Sequence, residues 1–371
     1  MPTTRAAVIE ASGARAVIEE LELDEPRPGE ILVRIVSSGV CHTGLVARAG
    51  DYPVPTPVVL GHEGAGVVAA VGSEVTDIRV GNHVVLSFVA CGDCSTCDAG
   101  RPALCQFAFE RNFLGQRADG STSLARPGGE RVHGLFFGQS SFSTVVLAPA
   151  SSAVVIDPEF DLRLAGPLGC GFQTGAGAVL NSLKPAPGST IAIFGAGAVG
   201  LAAIMAARIA GCDTIIAVDR HRSRLELASE LGATATIRAA RDTDIVQAVR
   251  ELTDGGAEYA IDTTGNPGVV RSAVDSLRVA GTFGLLGAAR FGTEVSLDLT
   301  HMLSGRTFRG IIEGDSVPRQ FIPELIAHQR AGRFPIEKLM RFFGLQQLEE
   351  AIEASESGEV VKPVLLMGDP G

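Results

Sequence analysis

Positive charge is scarce in this sequence of 371 residues. Asp and Glu outnumber Lys and Arg by 42 to 31, which gives a net charge of −11 and a pI near 5.2. A protein that binds nucleic acid or an anionic membrane needs clustered Lys and Arg to contact phosphate groups. The composition therefore argues against nucleic acids and membrane surfaces as partners.

Long apolar segments are also missing. The N-terminal sequence MPTTRAAVIE has no apolar signal core, so secretion is not expected. The most apolar segment covers residues 191–207 and is interrupted by three glycines. It is shorter than the ~20 residues that a membrane helix needs. We therefore expect a soluble, cytoplasmic protein.

Cysteine is rare outside one short segment, CGDCSTCDAGRPALC. The chain has seven cysteines, and this segment holds four of them: Cys91, Cys94, Cys97 and Cys105. The C-x2-C-x2-C-x7-C spacing allows four thiolates to converge on a tetrahedral Zn²⁺. Disulfides and an iron–sulfur cluster are the alternatives, although a reducing cytoplasm disfavours the first and the spacing differs from ferredoxin patterns. Four thiolates leave no position for substrate, so a lobe at residues 91–105 is predicted to hold a structural zinc.

The chain changes its sequence pattern near residue 190. Residues 1–160 contain short Val- and Ile-rich segments broken by Gly, Pro and Asp, which is typical of β-strands. Residues 117–134 are predicted to form a long loop. Beyond residue 190, apolar strands alternate with helical segments that often end in Gly, which predicts a doubly wound parallel sheet. Two helices and a final strand, VKPVLLM, follow residue 305.

A glycine-rich turn, GAGAVG, joins the first strand and the first helix of this second pattern. Its glycines are Gly195, Gly197 and Gly200, and Asp219 ends the following strand. This arrangement is typical of a dinucleotide site, in which glycines admit the pyrophosphate and the acidic residue binds the adenosine ribose. Asp219 favours NAD over NADP, whereas Arg220 or Arg222 could accept a 2′-phosphate. A glycine-rich turn without a ligand is the structural alternative.

Five motifs occur in a fixed order along the chain. They are GVCHT at 39–43, GHEGAG at 61–66, the four-cysteine segment, GPLGCGFQTGAG at 166–177, and GAGAVG with Asp219. This order resembles the zinc-containing medium-chain alcohol dehydrogenase family over essentially the whole chain, and the segments CHT and GCGFQTGAGAVLN are most similar to its aryl-alcohol (benzyl-alcohol) branch. The resemblance implies an α/β fold with a GroES-like β-rich catalytic domain at 1–171 and 306–371. A Rossmann NAD-binding domain would occupy 172–305, with the active site in the cleft between the domains.

The resemblance also implies a second, catalytic zinc held by Cys41, His62 and Cys170. Two thiolates and one imidazole leave a fourth position open, as in catalytic zinc sites. Taken singly, each of these residues would more often be a buried structural side chain. Glu63 matches the family's acidic neighbour of the zinc, and Thr43 matches the hydroxyl that receives the substrate proton.

Three further residues match cofactor-binding positions of the family. His42 and Lys362 match contacts to the cofactor pyrophosphate, and Arg224 matches a basic residue near the adenosine ribose. Solvated surface positions are the alternative for Arg224 and Lys362.

The sequence departs from the family pattern directly after CHT. Gly44 stands where the family usually has an Asp that supports the ligand His. Val46 and Ala47 stand where many members have a His that completes the proton relay.

The resemblance implies reversible oxidation of a primary, aromatic or allylic alcohol to the aldehyde, with NAD and two zinc ions per chain. The small-molecule partner would be this alcohol or aldehyde, and the chain would form a homodimer or homotetramer. A thiol-dependent formaldehyde dehydrogenase, an aldehyde reductase and a non-catalytic NAD-binding scaffold are the alternatives. Four aromatic residues could line an apolar substrate pocket or pack in the core: Phe88, Phe107, Phe109 and Phe113.

Overall fold

The computed structural model describes residues 2–368. The chain divides into two compact units. The β-rich unit contains the chain up to Cys170, Val317–Ile326, and the chain from Ile336 onward, and the parallel-sheet unit contains Gly171–Ser316 and Ala327–Pro335. Within residues 2–368, no helix combines the length and apolar character needed to cross a bilayer.

The N-terminal part of the β-rich unit contains ten strands and four short helices. The strands are β1 Thr3–Ile9, β2 Val17–Leu23, β3 Glu30–Gly39, β4 Val58–Val59, β5 Gly64–Val71, β6 His83–Leu86, β7 Leu124–Ala125, β8 Arg131–Val132, β9 Val145–Pro149 and β10 Ala153–Ile156. The helices are α1 His42–Ala49, α2 Ser95–Asp98, α3 Ala108–Phe113 and α4 Leu162–Ala165.

The parallel-sheet unit follows with strands and helices in alternation. Its strands are β11 Thr190–Phe194, β12 Thr214–Asp219, β13 Ala235–Arg238, β14 Ala257–Asp262, β15 Leu277–Leu285 and β16 Thr307–Gly310. Its helices are α5 Gly171–Gly177, α6 Ala198–Ala210, α7 Arg222–Leu231, α8 Ile245–Leu252, α9 Pro267–Asp275 and α10 Leu299–Leu303. The chain then continues through α11 Pro318–Arg330, β17 Met340–Gly344, α12 Leu348–Glu356 and β18 Lys362–Leu366.

Two sheets form the β-rich unit. One has the strand order β4-β1-β2-β7-β8, and the other has the order β10-β6-β5-β3-β18-β17, with β9 also paired to β3. Strand β18 pairs antiparallel with β3, with Val364 opposite Gly39. This pairing brings the C-terminal strand beside the segment that leads into α1.

The second unit is built on one parallel sheet of six strands in the order β13-β12-β11-β14-β15-β16. Chain order reverses beside β11, because β12 pairs with one of its edges and β14 with the other. A ligand binds outside the carboxyl ends of the strands at such a switch point. The doubly wound sheet predicted from the alternating pattern is therefore present, with the glycine-rich turn at the switch point.

Two sequence-based predictions, one unit boundary and one loop, need correction. The parallel-sheet unit extends to Ser316 rather than to residue 305, because β16 pairs in parallel with β15 and belongs to that sheet. The segment at 117–134 is not a simple loop, because β7 and β8 form an antiparallel pair within it. Strands of two residues are too short to produce a recognisable alternation of apolar and polar residues.

Candidate active site

Four side chains meet in the β-rich unit at the positions expected for a catalytic metal. The ligand atoms of Cys41, His62, Glu63 and Cys170 all lie within 4.8 Å of one another. Cys41 is the N-cap residue of α1, His62 and Glu63 precede β5, and Cys170 follows a short 3-10 turn. All but Cys41, which is half-buried, are buried. The fold therefore brings together residues that are up to 129 positions apart, from Cys41 to Cys170.

The donor set has the chemistry of a zinc site. The pKa of the Cys41 thiol is held well below its usual range by a hydrogen bond from Cys170 and by the adjacent His62, although burial opposes this shift. The metal ligand is a thiolate, so a lowered pKa favours metal binding. Two cysteines and one imidazole suit Zn²⁺, and the residues present thus fit the metal that the motifs imply.

Glu63 is paired with Lys362. The Lys362 ammonium donates to Oε1 and Oε2 of Glu63, at 3.0 and 2.9 Å, and to the carbonyl oxygen of Val40 at 3.1 Å. Burial raises the pKa of Glu63, while Lys362 and His62 oppose that shift. Burial lowers the pKa of Lys362, but Glu63 and Cys41 outweigh this effect and leave it raised. The Lys362 ammonium is buried against Glu63, so the alternative of a solvated surface position is wrong for this residue, while its contact with the cofactor pyrophosphate stays a prediction.

The four cysteines of the lobe at 91–105 form a second cluster, with their sulfur atoms within 4.8 Å of one another. Helix α2 and a 3-10 turn at Pro102–Leu104 bring them together. Hydrogen bonds from Thr96 and from the backbone N–H of Gln106 lower the pKa of Cys94 to about 5, which favours a thiolate. None of the seven cysteines forms a disulfide within residues 2–368, so the disulfide alternative has no support there.

An aromatic wall adjoins His62, and we define it as Tyr52, Phe109, Phe113, Phe136 and Phe137. The Phe137 ring stacks on the His62 imidazole with 4.5 Å between centroids, and Phe136 contacts it edge to face at 5.6 Å. Phe113 contacts both of these phenylalanines, at 5.0 and 5.8 Å. Tyr52 and Phe109 pack on Phe113, at 5.3 and 5.1 Å. One member of the metal cluster, His62, therefore contacts a continuous group of aromatic rings.

Two of the four predicted phenylalanines belong to this wall. Phe109 and Phe113 are members. Phe88 is not a member, although it is buried in the same hydrophobic core cluster as Phe136 and Phe137, and Phe107 is 48% exposed. Sequence reasoning missed Phe136 and Phe137, which lie in a 3-10 turn where Phe137 has a φ of +51°. A non-glycine residue rarely adopts this conformation, and such strain is concentrated at functional sites. The doubled aromatic in GLFFG between two glycines was the available signal.

The first turn of α1 carries the other residues predicted beside the metal. His42 is exposed and Thr43 is half-buried. Gly44 is buried against His62, and a Cβ added to it would lie 3.9 Å from Cε1 and 4.0 Å from Nδ1 of that imidazole. Gly44 therefore occupies the position from which a side chain would reach the ligand His.

The glycine-rich turn and Asp219 meet at the end of β11. Gly195 has a φ of +95°, and a Cβ at Gly200 would overlap the carbonyl oxygen of Gly195. A Cβ at Gly197, the N-cap of α6, would meet only open space. The close packing of turn and helix, with space at the helix N-terminus, is the geometry that accommodates a pyrophosphate.

Asp219 is held over this turn by backbone donors. Its carboxylate accepts hydrogen bonds from the N–H groups of Ala196 and His221, both at 2.8 Å. Arg222 is exposed and pairs with Glu226, while Arg224 is half-buried. Within residues 2–368, the Nε of Arg224 is buried without a hydrogen-bond partner.

A doubly wound dinucleotide-binding unit joined to a β-rich unit with a Cys2His metal set defines the class of metal-dependent dehydrogenases. Comparison with known proteins identifies the family within that class. Residues 27–158 match the model described as alcohol dehydrogenase GroES-like domain, and residues 198–328 match zinc-binding dehydrogenase.

Known proteins resemble the chain over nearly its full length. Geraniol dehydrogenase of Castellaniella defragrans is 43% identical over 366 residues, which cover 98% of each chain. The crystal structure of an alcohol dehydrogenase zinc-binding domain protein from Burkholderia ambifaria superposes with a TM-score of 0.97 at 50% identity, covering 99% of both chains. Benzyl alcohol dehydrogenase from Acinetobacter calcoaceticus gives a TM-score of 0.95 at 41% identity, covering 99% of this chain and 100% of that one.

The chain therefore belongs to the zinc-binding alcohol dehydrogenase family, whose members typically oxidise alcohols with NAD. The resemblance, the two-part fold class and the enzyme class predicted from the sequence are confirmed, and the scaffold alternative is not favoured.

Proposed function

We propose that this chain oxidises aromatic or allylic primary alcohols to aldehydes, with a catalytic zinc at Cys41, His62 and Cys170. The observation that carries the proposal is the aromatic wall, which begins with Phe137 stacked on a metal-binding imidazole. An aromatic ring or a conjugated double bond packs favourably against such faces and edges, whereas ethanol offers little surface for them. The names geraniol dehydrogenase and benzyl alcohol dehydrogenase support it, because geraniol is allylic and benzyl alcohol is aromatic.

The residues around the proposed metal have different roles in the reaction. Bound zinc supplies a Lewis acid that lowers the pKa of an alcohol. Thr43 lies in the first turn of α1, two residues after Cys41, and its hydroxyl accepts the alcohol proton and passes it outward. The aromatic wall orients the substrate and excludes water from one side of the reacting carbon. Glu63 is retained close to the ligands as a buried carboxylate.

The cofactor occupies the switch point of the parallel sheet. Gly195, Gly197 and Gly200 admit the pyrophosphate, and Asp219 binds the adenosine ribose and repels a 2′-phosphate. Arg224 adds a cation near the adenosine half, and His42 contacts the pyrophosphate. NAD supplies the hydride acceptor, and its redox chemistry is intrinsic to the cofactor.

The test is a substrate comparison that includes a matched pair of variants. Purified protein with NAD is assayed with benzyl alcohol, geraniol and ethanol, and with formaldehyde plus glutathione. We expect kcat/KM for benzyl alcohol and geraniol to exceed that for ethanol by at least about tenfold, since roughly 1.4 kcal/mol of extra apolar and aromatic contact is sufficient. Phe137→Leu should reduce this preference, and Phe107→Leu, outside the wall, should not. Ethanol turnover equal to benzyl alcohol turnover would overturn the substrate proposal.

We also propose that the chain forms a homodimer or homotetramer in the cytoplasm. Strand β16 is the terminal strand of its sheet, and two exposed leucines of nearby α10 support an interface there: Leu299 is 79% and Leu303 is 85% exposed. An unpaired strand edge beside exposed apolar residues suits pairing with a second copy. Seven cysteines without a disulfide within residues 2–368 suit a reducing compartment. Light scattering of the purified protein gives the mass, and a monomer would contradict the proposal.

A further inference from the structure

A cavity of about 320 Å³ lies in the β-rich unit, apart from the metal cluster. Pockets that hold small molecules typically have volumes of about 300–1,000 Å³, so this cavity is large enough for a compact ligand. Its lining joins apolar side chains to a polar group of six residues, namely Arg27, Glu30, Arg111, Gln116, Arg117 and Asp119. The charges of this polar group decide which ligand the cavity suits.

The most buried arginine of the cavity is already paired. The Arg117 guanidinium donates to the two carboxylate oxygens of Glu30, at 2.6 and 3.1 Å, and only 7% of Arg117 and 11% of Glu30 are exposed. Arg117 also donates to Asp24 at 2.9 Å, and Arg131 approaches that carboxylate at 3.5 Å. Two arginines thus balance two carboxylates, and this network forms a fixed, neutral wall of the cavity.

Arg111 and Gln116 lack such partners. Arg27 and Asp119 form an ion pair at 2.7 Å, so their charges cancel as well. Among residues 2–368, neither the guanidinium of Arg111 nor the amide of Gln116 makes a hydrogen bond or an ion pair. Both side chains are half-buried where they line the cavity. The cavity therefore has one unbalanced positive charge and two sets of unused N–H donors.

The apolar part of the lining suits a hydrocarbon group. Val89, Leu135 and Pro149 contribute to it, and Val89 and Leu135 are buried, at 7% and 3% exposure. A guanidinium binds a carboxylate through two parallel N–H···O bonds, and a single unbalanced charge matches one carboxylate rather than a doubly charged group. The ligand that satisfies both parts of the lining has one carboxylate on an apolar body.

Helix α3 separates this cavity from the aromatic wall. Arg111 is two residues from both Phe109 and Phe113, and a step of two residues turns by about 200° around a helix axis. Arg111 therefore lies on the face of α3 opposite these two rings. Asn112 fixes the helix in place, because its side chain exchanges hydrogen bonds with the backbone of Val89, at 2.8 and 3.0 Å. The cavity is thus distinct from the surface that adjoins His62.

We propose that the cavity is a binding site for a small monocarboxylate with an apolar body. Arg111 donates two N–H groups to the carboxylate, and Gln116 donates a further one. The apolar body lies against Val89, Leu135 and Pro149. Binding requires neither zinc nor NAD, so this inference goes beyond the proposed alcohol oxidation and does not depend on it.

The experiment is isothermal titration calorimetry of the purified protein without substrate or NAD, with benzoate as the probe. Benzamide has the same shape without the charge, acetate has the carboxylate without the apolar body, and inorganic phosphate tests for a general anion site. The variants are Arg111→Gln, which removes the charge, and Arg111→Lys, which keeps the charge without the two-pronged donor. Arg101→Gln at an exposed arginine is the matched control.

We expect Arg111→Gln to weaken benzoate binding by at least about tenfold, because a hydrogen bond between charged groups is lost. Arg111→Lys should fall between the parent protein and Arg111→Gln. The parent should bind benzamide and acetate at least about tenfold more weakly than benzoate, since the first lacks the charge and the second lacks most of the apolar surface. Arg101→Gln should stay within about twofold of the parent, as is usual for a surface substitution.

Three results would overturn the inference. A parent protein that does not bind benzoate has no such site. Benzoate binding that is equal in the parent and in Arg111→Gln would place the ligand elsewhere, for example at the catalytic metal. Phosphate binding that is tighter than benzoate binding and is lost in Arg111→Gln would make the cavity an inorganic-anion site and would refute the assignment to a monocarboxylate.

Discussion

Gly44 is the position at which one substitution should improve the proposed metal site. It is the third residue of α1 and is buried against His62, and a Cβ placed there lies in ordinary contact distance, 4.0 Å, from Nδ1 of the imidazole. The carboxylate oxygens of Asp extend beyond Cβ, so Gly44→Asp can place one of them about 2.8 Å from Nδ1. An acidic side chain in the first turn of a helix is also favoured by the helix dipole.

The expected gain follows from the role of such a carboxylate. A carboxylate behind a ligand imidazole fixes the ring and raises its basicity, and this support typically changes metal affinity or activity by about 10–100-fold. On the free-energy scale this is about 1.4–2.8 kcal/mol. We therefore expect Gly44→Asp to slow zinc loss to a chelator by at least about tenfold and to raise kcat/KM at neutral pH.

The same substitution has a cost in the absence of metal. Gly44 borders a cavity of about 10 Å³ that is lined mainly by apolar side chains, including Leu45 and Ile352. A carboxylate is larger than this space, and overpacking a core typically costs about 1–3 kcal/mol. Arg48 also lines the cavity and lessens the charge penalty, but its guanidinium already binds Glu349 at 2.9 Å. Gly44→Asp should therefore lower the Tm of the metal-free protein and raise the zinc-dependent increase in Tm.

Two control variants isolate the carboxylate. Gly44→Ala adds the Cβ without an acceptor and should leave zinc retention unchanged. Gly44→Asn offers a neutral oxygen of the same reach and should give a smaller gain than Asp. Zinc retention is measured with a chromogenic chelator, and Tm is measured with and without added zinc. The reasoning fails if Gly44→Asp folds normally yet changes neither zinc retention nor kcat/KM.

Three further predictions address other parts of the molecule. Metal analysis should give two zinc ions per chain, and one zinc or none would contradict the prediction of two sites. Cys97→Ala should lower the Tm, whereas Cys170→Ala should abolish activity in a protein that remains folded. Asp219→Ala should reduce the ratio of kcat/KM for NAD to kcat/KM for NADP by at least about tenfold, because the variant loses the ribose contact and the repulsion of the 2′-phosphate. An unchanged ratio would show that Asp219 does not select the cofactor. Burial lowers the pKa of His133 from its ordinary value of 6.5, while the backbone of Leu114 and Gly115 opposes the shift. The unfolded chain then binds this proton more readily, so stability should fall as pH drops below 6.5, and His133→Gln should flatten the pH dependence of Tm.

Local patterns in the sequence predicted those features that depend on neighbouring residues. The strand–turn–helix at Gly195 follows from an apolar run, three glycines and a second apolar run, and the structure has β11, the turn and α6 in these places. The four-cysteine cluster could be predicted from the spacing of the cysteines alone, because the short sequence intervals between them keep the four sulfur atoms close together. The catalytic set is different, since only the order of motifs along the chain connected Cys41 with Cys170.

Features that depend on pairing between residues far apart in the sequence could not be predicted in this way. Lys362 contacts Glu63 across 299 positions in the sequence, and only the antiparallel register of β18 with β3 brings them together. The sequence-based alternative of a solvated position for Lys362 is wrong, because the strand pairing that buries this residue cannot be recognised in the local sequence. The predicted unit boundary near residue 305 was misplaced for a similar reason. Strand β16 has only four residues, and it is recognised as part of the sheet only through its pairing with β15.

Two glycines near the catalytic cluster show why a residue type alone does not reveal its role. Both Gly39 and Gly44 lie within three residues of Cys41 in the sequence. A Cβ at Gly39 would overlap the Glu63 carboxylate, so glycine is required there for the ion pair with Lys362. A Cβ at Gly44 meets only the edge of His62 at ordinary contact distance, so a Cβ is sterically admissible there. Substitution at Gly39 should therefore displace Glu63 and alter the metal site, whereas substitution at Gly44 tests which chemical group the imidazole prefers as its neighbour.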